Sequence, residues 1–202
     1  MVRTNESGLR RVLCALAVIV TAMMISGTAS AQMLSLPEQP SAEQLKPGLA
    51  VRYYHNYFRH IDEIVEWEKH RDGSRGEPLP HLDWKVGEGK VLTSNDVNGV
   101  GAKITGFIRL DKPGFYKFVF ESNDGVRLEM GDEMILEDPG VHSDQFSPFG
   151  EIMIRKPGWY PLTIRYFERK VTSTLIMHWK PPGFEGDTLP KVPAEILAHI
   201  PE

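Results

Sequence analysis

The chain has 202 residues, with 23 Lys and Arg against 27 Asp and Glu, and its one cysteine is Cys14. A lone cysteine excludes a disulfide framework and a thiolate metal cluster, and a net charge of −4 argues against nucleic acid as a partner, since its phosphates would meet a like-signed field. The length is that of one ordinary domain with its own hydrophobic core.

At the start of the chain Arg3, Arg10 and Arg11 precede an apolar run from Val12 to Ile25 and a small-residue stretch from Ser26 to Ala31. This pattern predicts a signal peptide over residues 1–31, cut before Gln32 after Ala29-Ser30-Ala31. The apolar run is shorter than the roughly 20 residues that span a bilayer, which favours a cleaved leader over the alternative of a retained anchor. The expectation is export to the periplasm, the cell surface or the medium, with no stable membrane insertion after cleavage. Cys14 belongs to the leader and lacks the small residues of a lipoprotein cleavage site before it. Three of the basic residues and one of the acidic ones go with the leader, leaving 171 residues with 20 basic and 26 acidic side chains and no cysteine. Such a chain must fold by burial alone.

Residues 32–47 carry three prolines and little periodicity and read as a flexible linker, so the domain is placed at 48–202. From Gly48 onward the period is two. Tyr116, Phe118 and Phe120 share one face of a strand while Lys117 and Glu121 take the other. Val126, Leu128 and Met130 repeat the device, then Tyr160, Leu162, Ile164 and Tyr166, then Leu175, Met177 and Trp179. These read as antiparallel strands wet on one side. A short repeat, Lys112-Pro113-Gly114-Phe115-Tyr116 and Lys156-Pro157-Gly158-Trp159-Tyr160, suggests two hairpins turning on Pro-Gly. Helix is expected only near Ile61 to Trp67 and, as a short C-terminal helix, at Pro193 to His199. The fold class is therefore all-β: an antiparallel two-sheet β-sandwich with long irregular loops, the longest from His55 to Val100.

The order of these motifs resembles the protective-antigen fourteen-kilodalton domain family, a lectin-like β-sandwich. The resemblance runs from Gly48 to His199 through Thr105-Gly106-Phe107-Ile108, Lys112 to Phe118, Ser122-Asn123-Asp124-Gly125-Val126-Arg127-Leu128, Gly158-Trp159-Tyr160, Ile164 to Glu168 and Leu175 to Trp179. It implies an exported ligand-binding module, first of all for carbohydrate; the alternatives are a protein-interaction or structural module of the cell envelope and, more remotely, a small glycoside hydrolase. Glycan or an envelope protein is then the partner. Asn123-Asp124 stands where sugar-binding members carry two aspartates joined by a cis peptide on one calcium ion, so Asn123 and Asp124 become candidate metal and ligand residues. Asn123 halves the charge of that pair, and Asn-Asp-Gly is also sound turn chemistry without any metal. Calcium needs about 6–8 oxygens, and Asp144 in the loop Asp138 to Pro148 is the candidate that would help supply them; an ordinary solvated acid is the alternative.

Trp67 and Trp84 lie among charges in the irregular segment, where a flat ring can stack on a sugar or cap the edge of the sandwich. No catalytic constellation emerges. His70-Arg71-Asp72 lacks the nucleotide loop of a kinase, Gly87-Glu88-Gly89 lacks a third glycine, and no His pair has helical zinc spacing. The expectation is a binding protein and not an enzyme.

Overall fold

The computed structural model describes residues 32–202; the signal peptide expected over residues 1–31, with its cut before Gln32, lies outside the described residues. The strands are, in chain order, β1 (Gln32–Leu34), β2 (Lys46–Pro47), β3 (Ala50–His55), β4 (Ser74–Arg75), β5 (Asp83–Gly87), β6 (Val100–Leu110) and β7 (Gly114–Asn123). They continue with β8 (Val126–Met130), β9 (Glu133–Asp138), β10 (Gln145–Phe146), β11 (Gly150–Ile154), β12 (Gly158–Glu168), β13 (Ser173–Lys180) and β14 (Leu197–His199). One α-helix, α1 (Ile61–Glu68), follows β3, and a single 3-10 turn, Ala194–Ile196, precedes β14. The expected C-terminal helix is thus one turn long before the chain becomes strand.

Two sheets form the sandwich. One has the order β1-β11-β7-β13-β5 with β10 added to β7, and the other has the order β2-β14-β6-β12-β8-β9 with β3 on β6 and β4 on β3. The period-two faces meet between them: Tyr116, Phe118 and Phe120 of β7 and Leu175 and Met177 of β13 share one buried cluster with Leu128, Met130, Leu162, Ile164 and Tyr166 of the other sheet. Pairing is antiparallel except that β1 runs parallel to β11, with Gln32 opposite Ile152 and Leu34 opposite Ile154. The segment read as a flexible linker therefore contributes an edge strand, seated by the burial of Leu34.

The repeated Lys-Pro-Gly segments are not hairpins. A hairpin needs its two arms hydrogen-bonded to each other, but β6 and β7 lie in different sheets, as do β11 and β12. Each segment carries the chain across the core. Each is pinned by the tyrosine that ends the repeat: the Tyr116 hydroxyl donates to the Lys112 carbonyl at 2.9 Å and accepts from the Lys112 N–H at 3.1 Å. Tyr160 donates likewise to the Lys156 carbonyl at 2.6 Å. A buried ring thus anchors the corner while its hydroxyl satisfies backbone groups that no ladder reaches, the logic of a tyrosine corner.

Helix α1 docks on the outer face of the second sheet. His60 caps it by accepting from the Asp62 N–H at 3.2 Å, and Ile61 and Ile64 join Tyr54, Phe58 and Phe167 in a satellite core. Glu68 at its end grips the Arg165 guanidinium of β12 at 2.8 and 2.9 Å and takes Lys103 of β6 at 3.0 Å.

Phe118→Ala should destabilise the protein by about 3–5 kcal/mol, because it empties an aromatic core site. Tyr116→Phe, which keeps the ring and loses both corner bonds, should cost about 1–2 kcal/mol. Urea melts check both; equal losses in the two variants would show that the corner hydroxyl matters as much as the core.

Candidate functional site

At one end of the sandwich, three connections meet at a single carboxylate. Strand β7 ends at Asn123, the Asn123-Asp124 peptide is cis, and β8 starts two residues later. Gly125 completes the turn because a side chain there has nowhere to go: a Cβ would lie 2.5 Å from the Phe167 ring. Asp124 is only 3% exposed. Its Oδ1 accepts from the His142 N–H at 3.0 Å and its Oδ2 from the Arg169 N–H at 2.7 Å, while its own N–H donates to the Phe167 carbonyl at 2.9 Å. The β7–β8 turn, the β9–β10 loop and the β12–β13 turn are tied together through it. Burial pushes its carboxyl up, against the lowering effect of the two backbone donors.

Asn123 is buried beside it. Its amide nitrogen donates to Asp144 Oδ1 at 3.1 Å and to the Thr172 hydroxyl at 2.8 Å, and its carbonyl accepts from the Tyr166 hydroxyl at 2.6 Å. Asp144 Oδ1 also accepts from Thr174 at 3.1 Å, and its Oδ2 faces the Lys85 ammonium at 3.2 Å. Lys85 in turn donates to Glu121 at 2.7 Å. Partial burial raises the Asp144 carboxyl, but the hydrogen bonds from Asn123, Lys85 and Thr174 outweigh it and hold the group below the usual carboxylate range.

Behind this cluster lies Glu168, fully buried at the end of β12. Oε2 accepts from the Gly99 N–H at 3.1 Å, and Oε1 has no partner among the described residues. Burial, with the nearby Asp124 carboxylate adding to it, raises its pKa to about 7.

The structure thus brings Asn123, Asp124 and Asp144 together and leaves Trp67 and Trp84 apart from them. Trp67 is partly buried against the satellite core, with the Phe58 ring edge-on at 5.3 Å and the Arg71 guanidinium 4.3 Å over its face. Trp84 packs on the main core from β5, with its ring 4.8 Å from His81 and its N–H donated to the His81 carbonyl at 2.9 Å. Both rings stay partly exposed, and Trp67 lines a cavity with Tyr54, Arg71 and Gly73. Lys85, Thr172, Thr174 and Glu168 belong to the cluster although the sequence reading missed them. The signal was slight: Lys85 directly follows Trp84 on an edge strand, and the two threonines stand on either side of Ser173, where β13 begins.

These residues do not fit a calcium ion as they stand. Both oxygens of Asp124 are taken by backbone N–H groups, the Asn123 amide presents donors to Asp144, and an ammonium already lies against the remaining Asp144 oxygen. No three His, Cys, Asp or Glu converge as a metal cluster among the described residues.

A model of the PA14 domain matches residues 85–192. A search of curated proteins found no match. Among solved structures the chain is similar to the PA14 domain of the antifreeze protein MpAFP, at 14% identity over 82% of this chain and 96% of that one, with a TM-score of 0.64. It is similar to the PA14 sugar-binding domain from an RTX adhesin, at 16% identity over 76% and 98% of the two chains, TM-score 0.59. A third is the epithelial adhesin 9 A domain from Candida glabrata, in complex with Galb1-3GlcNAc, at 12% identity over 80% and 93%, TM-score 0.58. The chain also matches an anti-sigma factor domain-containing protein, 18% identical over 75% of this chain with a TM-score of 0.59, and spans about half (48%) of that protein's length. At these identities the likeness is one of fold.

Two outcomes follow from the geometry. Glu168 has its folded pKa raised from 4.5 to about 7, so between those values the native protein holds a proton that the unfolded chain has lost. Stability from this group is therefore fully present below pH 4.5 and falls as pH rises toward 7, by up to about 3 kcal/mol. Glu168→Gln should remove that slope, so urea melts should show the variant gaining on wild type as pH rises; a constant difference would place the carboxyl in contact with water. Second, millimolar calcium should shift the wild-type melting temperature by less than about 1 °C, whereas the double variant Asn123→Asp, Lys85→Gln should rise by several degrees. A calcium-dependent rise in the wild type would mean that the cluster opens to accept the ion.

Proposed function

This chain belongs to the PA14 domain family, and we propose that it is an exported ligand-binding module that takes carbohydrate at the loop end of its sandwich and does not act as an enzyme. The observation that carries the reading is the convergence on Asp124. One buried carboxylate fixes three otherwise independent connections, and preorganised loops on a rigid sandwich are what a weakly hydrophobic, hydrogen-bonding ligand such as a sugar requires. The domain from an RTX adhesin and the yeast adhesin with its disaccharide support a sugar as the ligand class. Export is supported by the leader pattern, and among the described residues no helix is long and apolar enough to cross a membrane.

A protein-interaction role in the envelope has its own support. Phe146 and Phe149, each 62% exposed, stand in the stretch that follows Asp144, and exposed aromatic side chains of this kind serve protein contacts.

A glycan array probed with the purified protein, with and without chelator, tests the first reading. The expected result is selective binding that survives the chelator, with Asp124→Ala lowering it about tenfold or more because the loops lose their common anchor. An array blank under both conditions rejects the sugar reading and leaves the aromatic face as the functional surface.

A further inference from the structure

Beside the Asn123 cluster, the same loop end holds a cavity of about 510 Å³ bounded by Tyr57, Glu88, Val97, Asn98, Lys170 and Val171. Its size lies within the roughly 300–1,000 Å³ of small-molecule sites. Its wall is amphipathic. Tyr57, Val97 and Val171 are 53%, 47% and 58% exposed, large values for apolar side chains, while Glu88, Asn98 and Lys170 supply one carboxylate, one amide and one ammonium. The opposed charges cancel, so nothing here selects for a charged ligand.

Two features show that this wall is built. Val171 has φ 79°, a left-handed conformation that a β-branched residue adopts only under constraint, and its N–H is held by the Asn98 amide oxygen at 2.6 Å. An exposed valine in a disfavoured conformation does nothing for the core; it sets an apolar side chain at the mouth of the cavity. The Asn98 oxygen is used in this bond, which leaves its amide nitrogen to donate to a ligand. Tyr57 lies over Gly99, where a Cβ would meet the tyrosine ring at 3.5 Å, and the Lys170 ammonium stands 5.6 Å from the ring centre. Gly99, at φ 68°, also donates to the Arg169 carbonyl at 3.2 Å and to Glu168, so the cavity floor is joined to the residues next to Asp124.

We propose that this cavity is the saccharide pocket, taking an uncharged pyranose whose C–H face lies on Tyr57 and against Val171 while its hydroxyls reach Asn98, Glu88 and Lys170. Asn123, Asp124 and Asp144 then act as positioning residues: they hold the β12–β13 turn that carries Lys170 and Val171 and do not touch the sugar. The assignment rests on the carbohydrate reading given above and adds the place and the chemistry of contact.

The test is an array of neutral and sialylated glycans, followed by titration of the strongest neutral glycan into wild type, Tyr57→Ala, Val171→Gly and Asp144→Ala. Tyr57→Ala should weaken binding about tenfold, the loss of one stacking face. Val171→Gly should weaken it while raising the melting temperature, since glycine accepts the positive φ that valine does not. Asp144→Ala should change affinity less than about threefold. Tyr57 and Val171 are exposed, so neither variant endangers the fold, and urea midpoints confirm that. Full binding by Tyr57→Ala together with loss in Asp144→Ala overturns the pocket and moves the sugar to the Asn123 cluster, leaving the carbohydrate reading intact. Binding of sialylated glycans alone overturns the uncharged ligand. An array blank for wild type rejects the carbohydrate reading itself, and the pocket with it.

Discussion

The functional end depends on a carboxylate almost sealed from water. Asp124 accepts one backbone N–H from each of two loops and gives its own N–H to the end of β12, the strand that leads into one of them, so its removal would orphan donors in both loops. Charge-assisted bonds of this kind are worth more than neutral ones, and their value rises where solvent is excluded. The cost is desolvation, visible in the raised carboxyl. Loops that would otherwise sample many conformations thereby become a fixed surface at the end of two rigid sheets, and a fixed surface loses less entropy on binding a small polar ligand.

Most of the sandwich was legible because its core strands alternate. Tyr116, Phe118, Phe120, Leu162, Ile164, Leu175 and Met177 are all buried, as period two requires. What failed was information that local sequence does not contain. Pro-Gly fixes the bend of a corner but says nothing about which sheet receives the outgoing arm, so Lys112 to Tyr116 and Lys156 to Tyr160 look like hairpins and are crossings. Gln32 to Leu34 is too short to show a period, and its strand exists only because the edge of β11 is open to it. At the site the difficulty was sequence distance. Lys85 reaches Asn123 through Asp144, and Tyr57, Asn98 and Val171 come from three separate connections that only the assembled sheets bring to one cavity. The tryptophans show the limit from the other side: large rings beside charges fit both a platform and an edge cap, and Trp67 and Trp84 each pack one part against a core while staying partly exposed.

Charge at the loop end shows one theme worked out three times. Two adjacent aspartates beside Asp144, with Glu121 and Glu168 nearby, would crowd negative charge into a poorly solvated corner, and a divalent cation is one physical answer. This chain uses its own atoms. Asn123 keeps the shape of an aspartate without the charge, and its amide donates to Asp144 where a cation would attract it. Lys85 brings a positive charge between Asp144 and Glu121. Glu168, with one oxygen unpartnered among the described residues, holds its proton to about pH 7 instead of adding another charge beside Asp124. Each change makes the next less costly, since a neutral Glu168 spares Asp124 a repulsion and a donating Asn123 spares Asp144 one. An ammonium and an amide do not supply the directed coordination with which a metal grips sugar hydroxyls. Recognition would then have to come from side chains with free donors and apolar faces, and those stand one turn away, around Tyr57 and Val171.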